Sequence, residues 1–111
     1  MISSTSPYDF MTVKHHLIDG IYTKECNLPV GIRFDQHKHK FSHMSVLAEG
    51  KAIVEVDGVS RTYSAPAILK IEADKVHSVT AIEPVVWLCI HYVGDEFNGD
   101  FDTIDMEFIK E

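Results

Sequence analysis

Turn-forming residues break this chain about every ten residues, and the runs between them are rich in the β-branched and aromatic side chains that suit a pleated strand. No run keeps a 3.6-residue apolar period over three turns, so long helices are excluded. Ile21 to Cys26 reads as a short strand, broken at Leu28-Pro29 because proline cannot donate to a ladder. Val30 to Phe34 follows, and Met44 to Ala48 ends at a Glu49-Gly50 turn. Ala52, Val54 and Val56 alternate with Ile53, Glu55 and Asp57, and the run closes on Asp57-Gly58, the signature of a two-residue type I′ hairpin with Val59 to Tyr63 returning. Pro66 precedes Ala67 to Ile71, and Val76 to Ile82 follows a polar turn. Val85 to Tyr92 is continuously β-prone and predicts a central strand buried on both faces. Such a cadence indicates an all-β sandwich or barrel of the jelly-roll kind.

The ends are less regular. Residues 1–7 read as a loose end, Tyr8 to Val13 as a first strand, and the adjacent His15 and His16 as surface or turn residues. Residues 94–111 hold seven acidic side chains and one lysine, yet Ile104, Met106 and Phe108 alternate with Asp105 and Glu107 as in a final amphipathic strand. At 111 residues the chain makes one domain, 1–111, with an N-terminal arm over 1–14 and an acidic C-terminal segment over 94–111. The formal charge of −7 argues against a nucleic-acid backbone or an anionic membrane as the main partner. No apolar run approaches the ~20 residues of a membrane helix and no basic-then-apolar leader opens the sequence, which points to the cytoplasm. Cys26 and Cys89 are too few for a disulfide scaffold and are expected as buried thiols.

One stretch carries chemistry. Between Gly31 and Gly50 stand His37, His39 and His43, with Lys38 and Lys40 on the opposite parity. On an extended segment side chains alternate, so all three imidazoles share one face while the lysines meet water. One strand, or a strand with a bend, would aim three metal ligands into one interior. His77, on a later apolar run, is a fourth candidate.

The spacing Gly31-x5-His37-x-His39-x3-His43-x6-Gly50 resembles the first cupin motif, with histidine in the glutamate position. Of the second cupin motif His77 is kept, while Pro66, Glu72, Asp74 and Ala81 stand at its other positions. The resemblance covers about residues 21–93 and implies a small single-domain cupin: an antiparallel jelly-roll barrel (a double-stranded β-helix) of the RmlC-like kind, holding one metal, usually as a homodimer. Short bacterial cupins in which four histidines bind manganese are the most similar type.

The resemblance implies a set of ligands, His37, His39, His43 and His77, for one divalent transition metal per chain: manganese, iron, nickel, zinc or copper. Four imidazoles are neutral, so the ion keeps its full charge and attracts an anionic or chelating oxygen ligand. His91 is a candidate to hydrogen-bond a ligating histidine, and Phe34, Phe41 and Trp87 are candidates to line a substrate pocket. No catalytic acid or base is assigned; Glu49 and Glu72 fall at turns. The expected function is a metal-dependent oxidoreductase, a dioxygenase on a small oxygen-chelating substrate. The alternative is a non-catalytic cupin binding a metal or small ligand.

Overall fold

The computed structural model describes residues 11–36 and 42–92. His37, His39 and Phe41, most of the N-terminal arm and the strand expected at 104–108 lie outside the described residues.

Among the described residues nine strands form two sheets. They are β1 (Thr12–Ile18), β2 (Ile21–Leu28), β3 (Arg33–Gln36), β4 (His43–Glu49), β5 (Lys51–Val56), β6 (Val59–Ser64), β7 (Ala67–Ile71), β8 (His77–Ala81) and β9 (Val85–Tyr92). The five-stranded sheet runs β1-β2-β9-β4-β7 and the four-stranded sheet β3-β8-β5-β6. Every ladder is antiparallel, and no helix occurs among the described residues, so the fold is an all-β jelly roll.

Turn chemistry sets the hairpins. Asp57 and Gly58 take φ of 52° and 85°, the pair of positive values a type I′ turn requires, and β5 and β6 pair around them as the sequence predicts. Asp19-Gly20 does the same between β1 and β2, with φ of 50° and 78°. That second Asp-Gly carries the first strand past Val13, where the sequence ended it, so His15 and His16 lie within β1. His16 faces out and meets Glu25 at 3.0 Å, while His15 is half-buried, its Nδ1 2.7 Å from the Tyr22 hydroxyl.

A second correction concerns β9. Val85, Trp87 and Cys89 are buried, but Val86, Leu88 and Ile90 on the other face are only half-buried. The run is continuously apolar, yet only its inner face lies in the core. The outer face of the sheet stays apolar instead, with Met44, Ile68 and Tyr92 exposed beside it.

Inside, side chains grade from apolar to polar along three of the ladders. On β2 and β9 the inward pairs run Leu28–Val85, Cys26–Trp87, Lys24–Cys89 and Tyr22–His91. On β4 and β9 they run Leu47–Trp87 then Ser45–Cys89, and on β5 and β8 Ala52–Ala81, Val54–Val79 and Val56–His77. The apolar end carries the stability: Leu28, Leu47, Val54 and Val79 are nearly or wholly buried, each contributing about 1.5–3 kcal/mol through removal from water. Cys26 and Cys89 are both buried. The polar end is where a site can form.

Candidate metal centre

β4 and β8 belong to different sheets. Their inward faces present His43, Ser45 and Leu47 from one wall and His77, Val79 and Ala81 from the other. The His43 and His77 rings therefore meet across the interior, centroids 5.7 Å apart and planes tilted by 47°. Both residues are buried, as are Nε2 of His43 and Nδ1 of His77. A cation ~2.1 Å from one nitrogen of each ring lies roughly 3.2 Å from each ring centre, so rings up to about 6.5 Å apart can share it. The observed pair fits a metal ion.

The Ser45 hydroxyl lies 3.4 Å from His43 Nδ1 and 3.9 Å from Cys89 Sγ. With its proton given to the sulfur, its oxygen accepts from Nδ1–H of His43. That arrangement would leave the lone pair on the buried Nε2. A ligating histidine needs such a partner to fix ring and tautomer.

Lys24 pairs directly with Cys89 and is only 7% exposed. Its ammonium sits 5.5 Å over the Phe34 ring, a cation–π contact that offsets part of the cost of burial. An amine, a thiol, a hydroxyl and two imidazoles thus share the polar end of one interior. His91, next on the same face as Cys89, packs edge-on against Tyr22 at 5.3 Å, and the Tyr22 hydroxyl reaches His15. Phe34 and Trp87 are both buried in the core cluster; Trp87 stands beside Leu47, one inward position deeper than Ser45. Two ionisable groups on the outer surface have displaced pKa values. Hydrogen bonds from Asn27, then His16, hold Glu25 below the usual carboxylate range, and Asp35 raises Arg33.

β3, Arg33–Gln36, belongs to the four-stranded sheet and β4, from His43, to the five-stranded one. His37 and His39 fall between them, outside the described residues. Among the described residues His43 and His77 are brought together, and no group of three or more potential ligands occurs.

Sequence reasoning missed Ser45, Lys24 and Tyr22. The signal was there: Tyr22, Lys24, Cys26 and Leu28 share one parity while Thr23, Glu25 and Asn27 share the other, so Tyr22 and Lys24 fall on the apolar face. Ser45 is likewise two residues from His43.

No family profile and no curated protein matches the sequence. Solved structures do match. An RmlC-like cupin from Shewanella frigidimarina superposes with a TM-score of 0.67 over 86% of each chain, at 16% identity. This chain has the cupin fold. The cupin domain of an XRE family transcriptional regulator from Enterobacter cloacae is 22% identical, with a TM-score of 0.64 over 75% of this chain and 97% of that one. Salicylate 1,2-dioxygenase from Pseudoaminobacter salicylatoxidans, solved as adducts with gentisate, gives a TM-score of 0.68 at 10% identity, over 79% of this chain and 26% of that one. Cupins thus share this architecture across an enzyme and a regulator domain, and fold does not choose between them.

Proposed function

We propose that this cupin holds one divalent transition-metal ion through His37, His39, His43 and His77 and acts as an oxidoreductase, a dioxygenase on a small substrate with two oxygen donors. The observation that carries it is the meeting of His43 and His77 from opposite sheets, 5.7 Å between buried rings. His37 and His39 lie in the sequence joining β3 to β4, next to His43. Bound by four neutral imidazoles, the ion supplies Lewis acidity and, if octahedral, two positions for exchangeable ligands.

The chain's own residues do the rest. Ser45 holds His43 in the ligating tautomer, and Lys24 adds positive potential that favours an anionic oxygen ligand over water. The apolar end, closed by Leu28, Leu47, Ala52 and Val85, keeps solvent away from one side. A salicylate 1,2-dioxygenase among the proteins of like fold makes dioxygen chemistry the class to test first.

The experiment has two parts. Tag-free protein and its His43→Ala, His77→Ala, His37→Ala and His39→Ala variants are assayed for metal by elemental analysis; near-stoichiometric metal is expected in the parent and loss in each variant. Iron- or manganese-loaded protein is then incubated with diketones, catechols and thiols under oxygen. Full metal occupancy in the variants overturns the ligand set, and no oxygen uptake beyond free metal overturns the dioxygenase.

A non-catalytic binding role is favoured by one observation: alternation along the strands leaves no aspartate or glutamate on an inward face among the described residues. Small-molecule density on the metal without turnover would establish that role. We also propose a homodimer through the apolar outer face of the five-stranded sheet, where Met44, Ile68 and Tyr92 are exposed. Light scattering that gives a monomer mass would remove that part.

A further inference from the structure

The two sheets part at one side. β6 ends the four-stranded sheet and β7 the five-stranded sheet, and no ladder joins them. Inside this seam lies a cavity of about 380 Å³, at the small end of the range for ligand pockets. Its inner wall is apolar: Val54 and Val56 come from β5, Leu69 and Ile71 from β7. Val56 is the cross-strand partner of His77 and Ile71 that of His43, so two residues of the cavity wall stand beside the two histidines on their ladders.

The mouth is different. Arg61 pairs with the buried Val54, so its side chain leaves β6 on the inward face, yet the residue is exposed. Its guanidinium therefore stands at the rim. Of the other charges there, Lys75 is held by Asp57 at 3.2 Å, and Lys70 stands on the exposed parity of β7, with Glu72 also at the cavity. Arg33, the second arginine of the chain, is engaged by Asp35 at 2.7 Å. Arg61 has no ion-pair partner among the described residues.

We propose that the seam between β6 and β7 is a binding site for a small carboxylate with an apolar body, its carboxylate on Arg61 and its body against Val54, Val56, Leu69 and Ile71. One guanidinium offers two parallel N–H donors that match a planar carboxylate. A phosphate can also pair with an arginine, but it has no apolar body to set against that wall. The proposal rests on the metal-centre reading in one respect only: Val56 and Ile71 neighbour His77 and His43 on their ladders, which would make a ligand of the seam a candidate substrate of that centre.

The test titrates full-length protein, metal-free and metal-loaded, with sodium benzoate, benzamide and inorganic phosphate, followed by 1H–15N NMR. Saturable benzoate shifts are expected at Val54, Arg61, Leu69 and Ile71, with benzamide weaker by about tenfold or more, the usual effect of losing a charge-assisted hydrogen-bond pair, and phosphate weaker because it buries no apolar surface against the wall. Arg61→Gln is expected to lower benzoate affinity about tenfold and Arg61→Lys less, both with unchanged metal content. Equal binding of benzoate and benzamide, or an Arg61→Gln variant that binds as the parent does, overturns the proposal. Metal uptake without benzoate binding removes the seam site and leaves the metal centre. Arg61-dependent benzoate binding by a protein that takes up no metal does the reverse.

Discussion

Gly50 and Gly31 bracket the histidine stretch, and replacing each by alanine separates two costs that sequence alone cannot. Both have similar positive φ, 90° and 85°. An L side chain there costs about 1–2 kcal/mol. Around Gly31 an added Cβ meets nothing within 4 Å, so that is the whole penalty. At Gly50 the Cβ would lie 2.0 Å from the Pro84 carbonyl oxygen and 3.1 Å from Val85 Cα, both backbone. The carbonyl of Gly50 also accepts from Ala65 N–H at 2.9 Å, so the segment is held from two sides. Forcing such an overlap costs about 1–3 kcal/mol more. Gly50→Ala is therefore expected to lose about 2–5 kcal/mol and Gly31→Ala about 1–2, each eased equally by the smaller entropy of the unfolded chain. Urea denaturation in excess chelator measures both, since bound metal would add its own stabilisation. With m about 1–3 kcal/mol/M, the two midpoints should differ by on the order of 1 M. Coincident midpoints, or a Gly50→Ala protein as stable as the parent, would refute the close approach of β4–β5 to Pro84.

Two further outcomes are expected. Ser45→Ala should keep the fold and bind metal about 10–100-fold more weakly, by competition against a chromophoric chelator, because His43 loses the group that sets its tautomer; unchanged affinity would remove Ser45 from the centre. Asn27→Ala should release the Glu25 carboxyl from the hydrogen bond that contributes most to its lowered pKa. A depressed carboxyl stabilises the fold above its unfolded pKa and loses that contribution as pH falls through the folded one. The stability gap between parent and variant should then be full at neutral pH and close in acid, below the ordinary carboxylate range, as followed by denaturation across pH.

The strand cadence and the Asp57-Gly58 hairpin were legible because turn residues act locally, and the jelly roll followed from them. The position of β1 was not, because Asp19-Gly20 is flanked by Ile18 and Ile21, and the adjacent histidines drew attention away from it. β9 misled because an apolar outer face and a buried one give the same run of letters. At the centre, His43 and His77 were legible as candidates from type and spacing. Their meeting was not derivable, since it depends on β4 and β8 standing in opposite sheets. Lys24 went unnoticed because a lysine is read as solvent-facing by habit, although its neighbours at 22, 26 and 28 are buried.

The placement of His43 and His77 on opposite walls has a mechanical consequence. A cation gripped by both works as a rivet between the two halves of the sandwich, so loading and rigidity become one quantity, with each tenfold rise in metal over its dissociation constant adding about 1.4 kcal/mol against separation of the walls. The emptied protein should then gape first at its polar end, and a protease should find its way in there.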